Sequence, residues 1–176
     1  GMKSSVTGEQ TSAVFGFVNM IQSILLKEKP EYACIAFDTA APTFRHTQYE
    51  AYKANRQEFP EPLVPQLLRI KEFITYLNIP QVEKPGYEAD DVIGTLARLA
   101  GDHDIDVYCV TPDKDYCQLV NERVKIYRPN MFDSTYDIVD EDKVCEKFGV
   151  PPAQVIDILG LIGDTSDNVP GVKGIG

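Results

Sequence analysis

The sequence predicts an α/β fold in which a mostly parallel central sheet is flanked by helices. Short apolar runs end abruptly in aspartate or turn residues, stretches with helical apolar spacing separate them, and prolines and glycines punctuate the joins. The 176 residues, 43% hydrophobic and 25% charged, suit one folded core of ordinary globular composition.

Residues 1–10 are polar and show no period. Val14, Phe17, Val18, Ile21, Ile24 and Leu25 then recur on one helical face, with Lys27 and Lys29 after them and Pro30 as a stop. Tyr32–Phe37 is an apolar run that reads as a buried strand and ends in Asp38. Residues 41–62 are mixed and polar. Leu63, Leu67, Ile70, Ile74 and Leu77 predict a helix over 63–77, and Ile79–Val82 a short strand. Glu88 to Ala100 carries Ala89, Val92, Ile93, Leu96, Ala97 and Ala100 at helical spacing. Ile105–Val110 is a second apolar strand, leading into Thr111-Pro112-Asp113, and shorter strands follow at Val124–Tyr127 and Tyr136–Val139. Asp140 is placed to cap a helix through Phe148 with Gly149 as its stop. Pro151 or Pro152 opens a last helix through about Ile162, before a glycine-rich end.

No apolar run approaches the roughly 20 residues of a membrane span and no signal peptide is visible, so a soluble intracellular protein without membrane contact is expected. Cys34, Cys109, Cys117 and Cys145 form no CxxC pair and are expected to be reduced and structural. The formal net charge of -10 argues against nucleic acid. That objection weakens if the carboxylates gather where divalent ions bind, because a bound ion reverses the local field.

The carboxylates do fall in a pattern. Asp38 follows one apolar strand, and Asp113 and Asp115 follow another. Ligands of open parallel sheets bind beyond the carboxyl ends of the strands, so both could reach one rim. Glu88, Asp90 and Asp91 open a helix. One acid there would satisfy the helix dipole and a cap, whereas three in four residues crowd like charges. Asp164 and Asp167 lie in a turn-rich stretch where Asx turns would serve equally well. Carboxylates drawn together from four segments need neutralising, and hard oxygen donors favour Mg2+ or Mn2+. Two such ions about 4 Å apart can clamp a phosphate.

Thr43–Arg56 is basic and aromatic. Arg45, Lys53 and Arg56 outnumber Glu50, with Phe44, Tyr49 and Tyr52 between them. Such a segment suits single-stranded nucleic acid through phosphate contacts and base stacking, and equally a solvated amphipathic helix whose tyrosines pack on the core.

Together, Ala36-Phe37-Asp38, Phe44-Arg45, Tyr52–Arg56, Glu88–Leu96, Thr111–Asp115 and Gly163–Asn168 resemble the 5′-nucleases of the flap endonuclease family, in the form found in bacterial DNA polymerase I. The likeness runs from Gly8 onward. It implies a PIN-like fold over 1–162 with two metal clusters. Asp38, Glu88, Asp90, Asp91, Asp113 and Asp115 would fall on metal positions, Asp113 and Asp115 between the clusters, and Asp164 and Asp167 on the second cluster. The likeness makes Lys53 and Arg56 the catalytic contacts to the scissile phosphate, with Arg45, Tyr49 and Tyr52 on the same DNA-binding arch. Residues 163–176 would begin a helix-hairpin-helix in which Gly171, Val172, Lys173, Gly174, Ile175 and Gly176 hold a duplex phosphate, with K+ assisting. The implied reaction is metal-dependent hydrolysis of DNA at 5′ ends, flaps, nicked duplexes and RNA primers, by a monomeric cytoplasmic protein of replication and repair.

Two departures qualify this. The family pattern opens with an apolar strand ending in a further metal-binding aspartate, and none precedes Gly8; the chain also stops before a second hairpin-flanking helix. The expectation is a chain that binds metal weakly, cuts poorly, lacks one central strand, and exposes part of its core or borrows cover from a neighbouring molecule. Competing readings are a PIN-like ribonuclease, which would need fewer acids, and a non-catalytic DNA-binding module.

Overall fold

The computed structural model describes residues 2–130 and 135–175. In chain order its elements are α1 (Ser12–Lys27), β1 (Ile35–Ala36), α2 (Phe44–Gln48), α3 (Val64–Tyr76), β2 (Gln81–Val82), α4 (Ala89–Gly101), β3 (Val107–Val110), β4 (Val124–Pro129), β5 (Tyr136–Val139), α5 (Glu141–Phe148) and α6 (Val155–Ile162), with 3₁₀ turns at Glu61–Leu63, Lys114–Leu119 and Pro152–Gln154. Two compact units result, Gly1–Phe37 with Gln57–Glu83, and Asp38–Arg56 with Lys84–Gly176.

In the first unit, the stripe predicted for α1 is half-buried at every position, while Phe15 and Leu26 beside it are exposed. α3 contributes Ile70 and the fully buried Ile74. The buried Gln66 of α3 accepts from the Ala13 amide (2.9 Å), one of the donors that a helix start leaves without an intrahelical partner, and donates to the Pro62 carbonyl (2.9 Å). A polar side chain on a buried face thus serves as a cap that α1 otherwise lacks. β1 and β2 pair in parallel, Ile35 with Gln81 and Ala36 with Val82. The predicted strand over 32–37 is shorter in the structure, because Tyr32, Ala33 and Cys34 are exposed and Pro80, before β2, offers a carbonyl to Ile35 but no N–H.

In the second unit, β3 and β4 pair in parallel and β4 and β5 antiparallel. The described strands therefore form a two-stranded and a three-stranded sheet, not the single mostly parallel sheet expected. Connection length explains the mixed order. Residues 111–123, with a 3₁₀ turn, are long enough to return the chain for a parallel strand, whereas the short link over 130–135 can only reverse it. Val124, Ile126 and Val139 of this sheet pack with Ala97, Cys109, Tyr116, Cys117, Val120, Val144 and Val155 in one buried cluster. α5 begins and ends as predicted: the Asp140 carboxylate accepts from the Lys143 amide (3.1 Å), and Gly149 closes the helix at φ +73°.

All four cysteines are free; Cys109 and Cys117 are buried, while Cys34 and Cys145 are exposed, so the apolar run around Cys34 did not bury it. Among the described residues no helix is long and apolar enough to cross a membrane. Ile126→Ala, which opens a cavity in the second unit's core, is expected to lower the free energy of unfolding by about 2–5 kcal/mol. Asp140→Ala, which removes only a cap, should cost about 1 kcal/mol. Urea denaturation of both variants checks the contrast.

Candidate functional site

Every carboxylate singled out in the sequence lies in the second unit. Glu88 is the N-cap of α4, not its first turn. The Glu88 amide donates to the Asp91 carboxylate (3.0 Å), and the two side chains form a reciprocal capping box. Asp38 accepts from the Ala89 amide (2.7 Å), so the start of α4 gathers three acids by satisfying its own orphan donors.

The basic segment supplies their counter-charges. Arg45 makes a two-pronged contact with Asp91 (2.7 and 2.8 Å), with a cation–π contact to Phe44 at 4.7 Å. That hydrogen-bonded pair raises the guanidinium above its ordinary value and lowers the Asp91 carboxyl. Lys53 Nζ donates to Glu88 (2.6 Å) and lies 3.7 Å from Asp167. Tyr52 is buried, and its hydroxyl lies within hydrogen-bonding distance of both Glu88 (3.0 Å) and Asp167 (2.9 Å). Burial, followed by those two bonds, pushes the phenol well above its usual range. Arg56 pairs with Asp167 at 2.5 Å. The structure therefore corrects the reading of Tyr52 as a base-stacking residue: its ring is inside, edge-on to His46, and its hydroxyl bridges two acids. Tyr49 is exposed.

Two acids lack such partners. Asp90 and Asp115 each bury a carboxylate oxygen, Oδ1 in both, that accepts no hydrogen bond. Burial raises the Asp90 carboxyl first, then the charges of Glu88 and Asp91. Burial likewise raises Asp115, with Asp113, Asp164 and Asp167 adding to it against Lys114. Asp113 caps the 3₁₀ turn by accepting from the Asp115 amide (2.9 Å). Buried Tyr116 is pushed up by burial and then by the acids Asp90, Asp113 and Asp38. One negative region thus links residues from both ends of the unit's sequence.

Asp164 is held differently. Burial works against its charge, but bonds from the Ser166 hydroxyl and amide, the Asp167 amide and Lys114 outweigh it and bring the carboxyl down to about 2. Its loop is closed on itself by an antiparallel bridge between Asp164 and Val169. At Gly163 (φ +74°) a Cβ would fall 2.3 Å from the Gly171 nitrogen, so this turn requires glycine.

Residues 171–175 form a turn about Lys173-Gly174. The Val172 amide donates to Leu161 and the Ile175 amide to Val172, so of the backbone donors expected to hold a phosphate, these two are engaged within the chain. Gly176 lies outside the described residues.

Oxygen-only donors and two buried, unpartnered carboxylate oxygens fit a hard divalent cation in donor type. Among the described residues, however, no three Asp, Glu, His or Cys side chains converge tightly enough to encircle one ion as they stand. Glu88, Asp91 and Asp167 are turned onto Lys53, Arg45 and Arg56. Sequence reasoning missed Asn55, Asn168 and Lys114. The two asparagines donate to backbone carbonyls, and Lys114 pairs with Asp164 at 3.3 Å. All three sat in or beside the quoted motifs, but their partners are far away in the chain.

Residues 2–149 match the family of the 5′-3′ exonuclease N-terminal, resolvase-like domain. The chain is 46% identical over 179 residues to DNA polymerase I of Chloroflexus aurantiacus, covering 100% of this chain and 19% of that protein. It is 42% identical over 173 residues to the 5′-3′ exonuclease of Aquifex aeolicus, covering 98% of this chain and 58% of that one. Its fold is similar to that of the T5 5′-exonuclease, solved with divalent zinc bound, with a TM-score of 0.74 and 25% identity over 92% of this chain and 62% of that one. It thus spans under two thirds of each of these proteins. Mixed α/β in architecture, the chain belongs to the 5′-3′ exonuclease family through its N-terminal, resolvase-like domain.

Proposed function

We propose that the chain is the nuclease part of a DNA polymerase I-type protein: a PIN-like domain that hydrolyses DNA phosphodiesters at 5′ ends and flaps, with RNA primers and nicked duplexes among its substrates. The observation that carries this reading is the pair of buried, unpartnered carboxylate oxygens on Asp90 and Asp115, set among further acids and faced by a basic segment. A purely structural cluster would be expected to pair each buried charge.

Asp38, Glu88, Asp90, Asp91, Asp113 and Asp115 would hold Mg2+ or Mn2+, with Asp164 and Asp167 serving a second ion. The bound metal supplies positive charge for the phosphoryl oxygens and a lowered pKa for water. Lys53 and Arg56 would transfer their bonds from Glu88 and Asp167 to the scissile phosphate, and a guanidinium fork suits two of its oxygens. Arg45 and Tyr49 would contact the 5′ strand. Buried Tyr52 holds Glu88 and Asp167 in place and helps to exclude water from between them. The Lys173-Gly174 turn would begin a helix-hairpin-helix whose remaining amides, with K+, meet a duplex phosphate. In this reading the parent protein is a monomeric cytoplasmic replication and repair enzyme.

Two measurements test the proposal. Mn2+ at about 100 times its dissociation constant should stabilise the chain by about 2.7 kcal/mol in thermal melts. Asp115→Asn should raise stability without metal, because a neutral isostere removes first the cost of burying a charge and then the repulsion from Asp113, Asp164 and Asp167, while the gain from Mn2+ should shrink. A variant whose Mn2+ response matched the wild type would place the ion elsewhere. In the second measurement, labelled 5′-flap DNA should be cut with Mg2+ and not with a chelator by a protein carrying the whole nuclease, and more slowly by this chain, and Lys53→Ala should slow cutting about 100-fold, as expected for loss of charge stabilisation at the reacting group. Equal cutting of single-stranded RNA would favour the ribonuclease reading. DNA binding without any cutting, in a protein carrying the whole nuclease, would favour the non-catalytic one.

A further inference from the structure

The segment carrying Lys53 and the loop carrying Asp167 are joined by bonds that involve no catalytic group. Asn55 Nδ2 donates to the Thr165 carbonyl (2.8 Å), and Asn168 Nδ2 donates back to the Ala51 carbonyl (2.7 Å). Between them the Lys53 amide donates to the Asp167 carbonyl (2.9 Å). These bonds all accept on main-chain oxygens, one from a main-chain amide and two from asparagine side chains, so they hold the two stretches of backbone together without using a charged side chain.

The conformation at the centre of this stitch is costly. Lys53 has φ +56° and Asn168 has φ +57°. Asparagine tolerates the left-handed region, whereas a lysine there costs about 1–2 kcal/mol and persists only where its surroundings over-determine it. The surroundings of Lys53 do so: its amide is held by Asp167, the chain on either side by Asn168 and Asn55, and its ammonium by Glu88. In this conformation Nζ lies against Glu88 and Asp167, while the next residues, Ala54 and Asn55, are exposed.

We infer that Asn55 and Asn168 are positioning residues: through reciprocal amide-to-carbonyl bonds they hold Lys53 in its left-handed conformation and so set where its ammonium stands relative to the carboxylates and the reacting phosphate. The inference rests on the nuclease reading for its purpose, but on the stitch alone for its geometry.

The test uses the full chain with Asn55→Ala, with Asn168→Gly, which removes the donor but still permits positive φ, and with both changes. The first readout needs no DNA: limited acetylation followed by mass spectrometry, comparing Lys53 with Lys71 and Lys143. Labelling of Lys53 should rise severalfold in the double variant and less in each single one, with the reference lysines unchanged. The second is single-turnover cleavage of saturating 5′-flap DNA with Mg2+, where displacement of a reacting group by about 1 Å can cost 10- to 100-fold. The rate should fall by that order while DNA affinity stays at the wild-type value. Unchanged Lys53 labelling in the folded double variant, or a defect confined to DNA affinity, overturns the inference. Should the double variant not fold, the exposed Asn55→Ala alone decides on the same terms. A labelling rise, with no cutting of flap DNA by a wild-type protein carrying the whole nuclease, would sink the nuclease reading and support the positioning of Lys53.

Discussion

Charge neutralisation at the start of α4 is the constraint on which the rest of the second unit depends. Glu88 is 8% exposed, and a carboxylate so buried must be paired, since removing one partner of such a pair costs about 3–5 kcal/mol. Beyond the Asp91 amide of its own capping box, its partners come from a segment 35 to 43 residues earlier, Lys53 and Tyr52 directly and Arg45 at 3.9 Å. The same segment must then satisfy Asp91 and Asp167. A single requirement, one acid at an N-cap, thus recruits the basic segment, and the segment recruits the 163–170 loop through the asparagines.

The acids fall into two physical classes as a result. Glu88, Asp91 and Asp167 are satisfied by cations, and Asp164 by the amides and hydroxyl of its own turn, which bring it down to about 2. Asp90 and Asp115 are raised by burial and by those same neighbours, each with an oxygen that accepts nothing. The neighbours' negative charge stabilises their partners and destabilises these two at once. The stabilised acids shape the chain, and the destabilised pair keeps its affinity for positive charge in reserve.

Much of this was legible in the sequence, for reasons tied to range. The α1 stripe, α4 and α5 with their caps, and the apolar parts of β3, β4 and β5 follow from neighbours a few residues apart. The site carboxylates were legible as a set because three stand in four residues and the others close strands or turns. Long-range facts were not. The division into two sheets depends on pairing partners and connection lengths, and a proline before β2 shortened a strand whose apolar run looked longer. The burial of Tyr52 depends on acids 36 and 115 residues away, so composition left a stacking ring and a ring packed on the core equally open, and the fold chose the second. The asparagine stitch spans 110 and 117 residues and has no local signature.

The overall negative charge, which first argued against a polyanionic substrate, acquires a different meaning at the site. Among the described residues, the ion pairs that offset Asp38, Glu88, Asp90, Asp91, Asp113, Asp115, Asp164 and Asp167 come from Arg45, Lys53, Arg56 and Lys114. Eight acids against four bases leave a formal deficit of four positive charges, which two divalent ions would match. A site already neutral would gain little from metal, and one with fewer cations of its own would need more metal to reach neutrality. With metal bound as proposed, the charge of the ions added to that of Arg45, Lys53 and Arg56 would let an acidic chain offer a phosphate positive charge at one place while its remaining surface stays anionic.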